Sequence, residues 1–185
     1  NLAFHQTIMA GSGEVATGAL EESAKKNKGN YVLAIDGAIP MGDQAGCCMR
    51  GERNGKPVTM EQRFEELAKD ALAILAVGTC ASFGGLAATA PNPSNAQAID
   101  QLMKAKGISK PLVNIPGCPP HPDWVIGTIG AFVLGKLTPD ALDDLGRPLM
   151  FYGKLVHENC PRRADFDAGR FAERPGDAGW SRPLC

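Results

Sequence analysis

Six cysteines carry most of the chemistry this chain can offer: Cys47, Cys48, Cys80, Cys118, Cys160 and Cys185. A thiolate is a nucleophile, a redox group or a soft metal ligand. Spacing alone does not choose among these, because no Cys-x-x-Cys occurs and neither a thioredoxin-like motif nor a zinc ribbon is present. The cysteines are also too sparse for a small disulfide-stapled domain. Their flanks say more. Thr79-Cys80-Ala81-Ser82-Phe83-Gly84-Gly85 and Gly117-Cys118-Pro119-Pro120 are glycine-bearing, which lets backbone approach a bulky group. Proline after cysteine also occurs in some iron–sulfur motifs. A nucleophilic Cys118 is a second reading, with His121 as its base, although Pro119, Pro120 and Pro122 hold that histidine rigidly. A third is a pair of buried, inert thiols or a disulfide.

His157-x-x-Cys160 is a weak signal by itself. Together with Cys185 it brackets residues 161–184, a stretch rich in Arg, Pro and Gly with few apolar residues and no periodicity. Such a segment cannot offset its ordering entropy from a core. A metal centre, zinc included, is one way to order it. Cys47-Cys48 falls in a polar stretch, and neighbouring cysteines chelate one ion poorly, so a solvated loop is expected there. Arg162-Arg163 is expected to be a solvated pair, and His5 has no evident partner. Gly11-x-Gly13 is too short for a dinucleotide fingerprint, and no phosphate-binding loop motif occurs.

The elements that must position these residues alternate. Leu2-Ala3-Phe4 suits the end of a strand. A helix is expected over 14–26, closed by Gly29. Tyr31-Val32-Leu33-Ala34-Ile35 is a continuous apolar run, the mark of a strand buried on both faces. Residues 41–58 read as a surface loop. Thr59-x-x-Gln62 is a capping box opening a helix to about Asp70. A buried strand over 72–77 then runs straight into Gly78-Thr79-Cys80. Ser94-x-x-Gln97 is a second capping box, for a helix ending at Gly107. A strand over 112–115 runs into Pro116-Gly117-Cys118, and a helix follows over 123–135. Thr138-Pro139 opens a short helix. Phe83 and Trp124 are expected in the core. Buried strands alternating with helices mean a parallel sheet covered on both faces. Right-handed crossovers then point all strands the same way. Cys80 and Cys118, 38 residues apart, both lie just past a strand's carboxyl end, the edge where open α/β sheets bind ligands.

Composition narrows the function classes. The 185 residues suit about one domain of ~150 residues and a small part more. Nineteen Lys+Arg against 20 Asp+Glu leave a formal charge of −1, with no basic footprint for nucleic acid and no polybasic stripe for a membrane surface. A hydrophobic content of 44% supports a folded core. The longest apolar run, Ala71 to Val77, is far short of the ~20 residues that span a bilayer. No charged-then-apolar export signal is visible at Asn1, so it is either lacking or removed.

Three segments, in order, resemble the small subunit of [NiFe] hydrogenases: Ala76-Val77-Gly78-Thr79-Cys80-Ala81-Ser82-Phe83-Gly84-Gly85, Asn114-Ile115-Pro116-Gly117-Cys118-Pro119-Pro120-His121-Pro122 and His157-Glu158-Asn159-Cys160-Pro161-Arg162-Arg163. Phe4 to Ala10 and Gly146-Arg147-Pro148 are also similar. The resemblance implies a flavodoxin-like α/β domain over residues 1–150 and the beginning of a loop-rich iron–sulfur domain over 151–185. It implies that Cys80 and Cys118 are two of four ligands of a proximal [4Fe-4S] cluster. His157, Cys160 and Cys185 would be three of four ligands of a distal [4Fe-4S] cluster. A medial [3Fe-4S] or [4Fe-4S] cluster is expected further on. The implied partner is a large subunit holding the nickel–iron centre where dihydrogen is split. Electrons would pass to a cytochrome or a quinone-linked membrane subunit, in the periplasm, with or without membrane attachment. The family's N-terminal Cys-x-x-Cys is not in this sequence, and the expectation is an internal piece of a longer subunit. A naturally short relative without clusters is the alternative. Some oxygen-tolerant relatives place an extra cysteine five residues after the match to Cys80; here Gly85 stands there, so an ordinary cubane with one redox step is expected. Outside this family, the readings are a cluster-free flavodoxin-like binding module or a cysteine-nucleophile enzyme.

Overall fold

The structure, a computed structural model, describes residues 2–177. Two compact units divide between Pro148 and Leu149. In the first, Leu2-Ala3-Phe4 is irregular rather than strand, and the following turn is closed by the N–H groups of Ile8 and Met9 on the His5 carbonyl. Helix α1 (Gly13–Lys26) carries Glu14 in its first turn and Lys25 and Lys26 in its last, charges that suit the two ends of its dipole. Strand β1 (Val32–Asp36) and the two-residue β2 (Ile39–Pro40) follow.

The stretch expected as a surface loop holds a 3-10 turn (Gly42–Cys47) and a hairpin of β3 (Met49–Arg53) with β4 (Lys56–Thr59). Asn54 and Gly55 have φ of 54° and 72°. Two consecutive left-handed residues are what a two-residue type I′ turn requires, and Asn-Gly is its preferred pair. The strands' polar composition concealed the hairpin, and that dipeptide was the signal for it.

Helix α2 (Met60–Asp70) begins at the expected box: Gln62 N–H donates to Thr59 Oγ1 at 3.2 Å, and Thr59 N–H donates to Gln62 Oε1 at 3.1 Å. Strand β5 (Ala73–Val77) leads into a five-residue helix, α3 (Thr79–Phe83). The second expected box does not form. Ala96–Gln97 is β6, extended and paired antiparallel with β2, so the chain is not yet helical there. Ser94 Oγ turns instead to Asn92 Oδ1 at 3.5 Å. Helix α4 (Ile99–Lys106) starts later, where Ala98 N–H donates to Gln101 Oε1, and ends at Gly107 with φ 63°. Strand β7 (Leu112–Ile115) and helix α5 (Pro122–Val133) complete the pattern, before a 3-10 turn over Pro139–Ala141.

Strands β1, β5 and β7 form a parallel sheet in the order β1-β5-β7. The register pairs Asp36 with Val77 and Val77 with Ile115, so the three carboxyl ends are level. Central β5 is buried on both faces, with Ala73, Ile74, Leu75 and Ala76 at most 1% exposed. Ile74 and Ala76 join a core with Phe64 and Ala68 of α2 and Ile99 and Leu102 of α4. Alanines at 68, 71, 76 and 81 keep that layer thin and let helices approach the sheet. β1 is less buried than its apolar run implies: it pairs with β5 on one edge, and Ala34 and Asp36 stay exposed. The second unit contains the short helices α6 (Leu149–Tyr152) and α7 (Arg163–Asp167), the latter in a stretch whose sequence shows no helical period.

A charge cluster ties α1 to α2 and the hairpin. Arg63 is 3% exposed and its Nη1 donates to Glu21 at 2.6 Å, while Arg53 bridges Glu21 and Glu66 at 2.8 Å each. Hydrogen bonds from Arg53 and Arg63 hold the Glu21 carboxyl at about 2, below its ordinary value of 4.5. The unfolded chain therefore takes up this proton first as pH falls. The stabilisation is complete above the ordinary carboxylate value and is lost as pH falls towards about 2. Solvent around Glu21 and Arg53 limits it to about 1 kcal/mol. Chemical denaturation across that acid range is expected to show this loss, and the variant Glu21→Gln to show a shallower acid limb.

Candidate functional site

The site is built where β5 and β7 leave the sheet. After β5, Gly78 (φ 90°) turns the chain into α3, and after β7, Gly117 has φ 149°. Three hydrogen bonds stitch the two exits together. Gly78 N–H donates to the Ile115 carbonyl at 2.8 Å, and Thr79 N–H to the Gly117 carbonyl at 3.0 Å. Gly117 N–H returns a bond to Thr79 Oγ1 at 3.1 Å. Cys80 and Cys118 each follow directly on one member of this reciprocal pair, so their backbones are held side by side. Helix α3, which carries Cys80, packs on the ends of all three strands, and Ser82 Oγ anchors it by donating to the Ala76 carbonyl at 3.1 Å.

Glycines fit this rim closely. A methyl group built on Gly85, at φ 57° and ψ −151°, would lie 2.6 Å from Cys80 Sγ. One built on Gly117 would lie 2.5 Å from Pro120 Cα, and one on Gly78 would lie 3.2 Å from Asp36 Oδ1. Backbone therefore touches the Cys80 sulfur directly, and the β1 carboxylate reaches the same rim. Cys80 is half-buried and Cys118 is exposed, and both thiols are free. Phe83, expected in the core, is 44% exposed, because α3 buries Ala81 and Ser82 and ends at Phe83.

His121 is employed elsewhere. Its Nδ1 accepts the Asp123 N–H at 3.2 Å and caps α5, and its ring lies 6.0 Å from that of Trp124. Among the described residues no hydrogen bond joins it to Cys118. His5 likewise finds a local partner, with its Nδ1 accepting the Thr7 N–H at 3.2 Å. Cys47 is exposed, 3.7 Å from Gln44 Oε1, and with Cys48 lies at the end of the 3-10 turn before the hairpin.

In the second unit, successive turns carry His157 and Cys160: Cys160 N–H donates to the His157 carbonyl at 3.4 Å, and Arg163 N–H to the Cys160 carbonyl at 3.1 Å. The Cys160 thiol is free and half-buried. The His157 ring stands against Phe166. Arg163, expected to be solvated, also binds Asp167 at 3.0 Å. Cys185 lies outside the described residues. Among those described, no three His, Cys, Asp or Glu side chains converge as a metal site.

Two residues of the rim carried little signal in the sequence. Thr79 supplies the hydroxyl that holds Gly117, and a threonine between glycine and cysteine at a strand exit was the available clue. Asp36 reads as the end of β1 and becomes a rim residue through the level register of the sheet.

Residues 1–132 match the family model of the NADH ubiquinone oxidoreductase 20 Kd subunit. The chain is similar to the periplasmic [NiFeSe] hydrogenase small subunit of Desulfomicrobium baculatum, 41% identical over 189 residues, covering 95% of this chain and 60% of that one. It is also similar to the uptake hydrogenase small subunit of Azotobacter vinelandii, 41% identical over 186 residues, covering 100% and 49%. The solved structure of the oxidised recombinant [NiFeSe] hydrogenase from Desulfovibrio vulgaris Hildenborough matches with a TM-score of 0.83 at 38% identity, covering 96% of this chain and 66% of that one. The chain thus spans about half to three-fifths of the length of these curated relatives. Its parallel sheet is the fold of those neighbours, and the chain belongs to the NADH ubiquinone oxidoreductase 20 Kd subunit family, among the members that are small subunits of [NiFe] hydrogenases.

Proposed function

We propose that this chain is the electron-transfer part of a [NiFe] hydrogenase, relaying electrons between the nickel–iron centre of a large subunit and an external redox partner. The observation that carries the reading is the reciprocal Thr79–Gly117 hydrogen bonding, which ties together the two strand exits that lead into Cys80 and Cys118, both free. Cys80 and Cys118 would hold two corners of a proximal [4Fe-4S] cluster. His157, Cys160 and Cys185 would hold three corners of a distal one. The donors fit: thiolates are the usual ligands of such clusters, and the Gly85 backbone leaves the Cys80 sulfur unobstructed by a side chain. Such clusters supply one-electron chemistry at a potential set by ligand charge, hydrogen bonds and exposure. The chain's own residues do the positioning. Thr79 and Gly117 fix the spacing of the two loops, and Ser82 fixes α3 to β5. A neutral His157 in place of a thiolate removes one negative charge from the distal ligand set, which favours a higher potential there.

The partner assignment rests on surface chemistry. Phe83 is 44% and Leu86 91% exposed, both within six residues of Cys80. Large apolar side chains beside a functional rim mark a protein contact. With a net charge of −1, association relies on shape and apolar burial rather than long-range steering. The outer partner is a cytochrome or a quinone-linked membrane subunit, a medial [3Fe-4S] or [4Fe-4S] cluster completes the relay, and the location is the periplasm. No described helix is long and apolar enough to cross a membrane.

Substituting Cys80→Ser or Cys118→Ser in the assembled enzyme should remove about four iron and four sulfide per molecule, with loss of the proximal signal in electron paramagnetic resonance. Unchanged iron would show that these thiols hold no cluster, and a parent chain without iron and sulfide would support a cluster-free binding module or a thiol enzyme. Gly85→Ala should lower iron loading while the α/β unit stays folded by circular dichroism, because its methyl group displaces the Cys80 sulfur. Since Gly85 offers no thiolate, a redox titration should show a single one-electron step at the proximal cluster, and two closely spaced steps would contradict this.

A further inference from the structure

The second unit has few buried apolar residues, yet three aromatic rings meet in it. The His157 and Phe166 rings have centroids 4.4 Å apart at an interplanar angle of 80°. Those of Phe166 and Phe171 are 5.7 Å apart at 82°. Both contacts are perpendicular, the arrangement that aromatic quadrupoles favour, with Phe166 in the middle.

Phe166 is itself held by α7. Its N–H donates to the Arg162 carbonyl at 3.1 Å. Arg163 Nε bonds both Asp167 oxygens, at 3.0 and 3.1 Å, and Arg170 bonds Asp165 Oδ1 at 2.6 and 2.9 Å. His157 has no comparable restraint. Among the described residues no hydrogen bond reaches either imidazole nitrogen. The torsion that turns an imidazole is broad unless something fixes it. A metal-binding histidine ordinarily has its ring fixed by a hydrogen bond on the nitrogen that does not bind metal. Here the perpendicular Phe166 ring is the contact available for that task.

We propose that Phe166 is the positioning residue for His157, restricting imidazole rotation so that a ring nitrogen meets the distal cluster in one orientation. This rests on the reading of His157 as a cluster ligand. Phe171 packs against Phe166 in turn.

The test uses the assembled enzyme with Phe166→Leu and Phe166→Tyr. Imidazole nitrogen hyperfine coupling at the reduced distal cluster is read by pulsed electron paramagnetic resonance, alongside its midpoint potential, iron content and melting temperature. Phe166→Leu should keep iron and melting temperature, spread the nitrogen coupling over a range of ring orientations and shift the potential. Phe166→Tyr, which keeps the ring, should restore the narrow coupling. Leucine and tyrosine variants that match each other, or a leucine variant that matches the parent, would overturn the proposal. If Phe166→Leu loses the cluster, Phe166→Tyr decides: a full cluster with narrow coupling supports the role, and loss there too overturns it. No imidazole coupling in the parent enzyme would overturn the ligand reading itself, a result separate from any effect of Phe166.

Discussion

The chain depends on the burial of β5 from both sides and on the place where it must stop. Four residues of that strand are almost wholly removed from water, so the strand can neither shift register nor extend without breaking the core formed with α2 and α4. Parallel pairing on both edges then fixes the ends of β1 and β7 at the same level. Everything chemical in the first unit is hung from that level edge. Gly78 and Gly117 take backbone angles that turn the chain sharply away, and the Thr79–Gly117 bonds make the two turns one object.

This arrangement separates stability from chemistry. The core uses Phe64, Ile74, Ile99 and Leu102, all fully buried. The rim uses small residues, a hydroxyl and two free thiols. A rim held by backbone hydrogen bonds and by glycine contacts is stiff without needing bulk, which suits a site that must accept a large group against its backbone. The charge cluster of Glu21, Arg53, Arg63 and Glu66 does a different task, tying α1 and the hairpin to α2.

The second unit follows other rules. Its helix α7 is braced by i,i+4 and local ion pairs and by a series of three rings, not by a core. Ion pairs at exposed positions contribute little each. The rings are therefore the main local contribution to order among the described residues of this unit, and they centre on Phe166, with His157 against it.

Alternation of apolar runs with helical patterns was enough, in the sequence, to specify a parallel α/β sheet and to put Cys80 and Cys118 past strand ends, because strand direction follows from the crossover rule. The capping box at Thr59 and the glycine stop at 107 were equally legible, since caps are local hydrogen-bond chemistry. The hairpin at Asn54-Gly55 was missed because both its strands are polar and its order comes from turn geometry and packing on α1. The box at Ser94 was misread because β6 captures residues 96–97 by pairing with β2, more than fifty residues away, and no local pattern records such a partner. Phe83 lay outside the core because a five-residue helix turns only part of its surface inward. The thiols' residue types were in the sequence. That Thr79 and Gly117 would bind each other, that Asp36 would share their rim and that Phe166 would face His157 was decided by tertiary structure alone, because each contact joins residues whose separation along the chain says nothing about their distance in space.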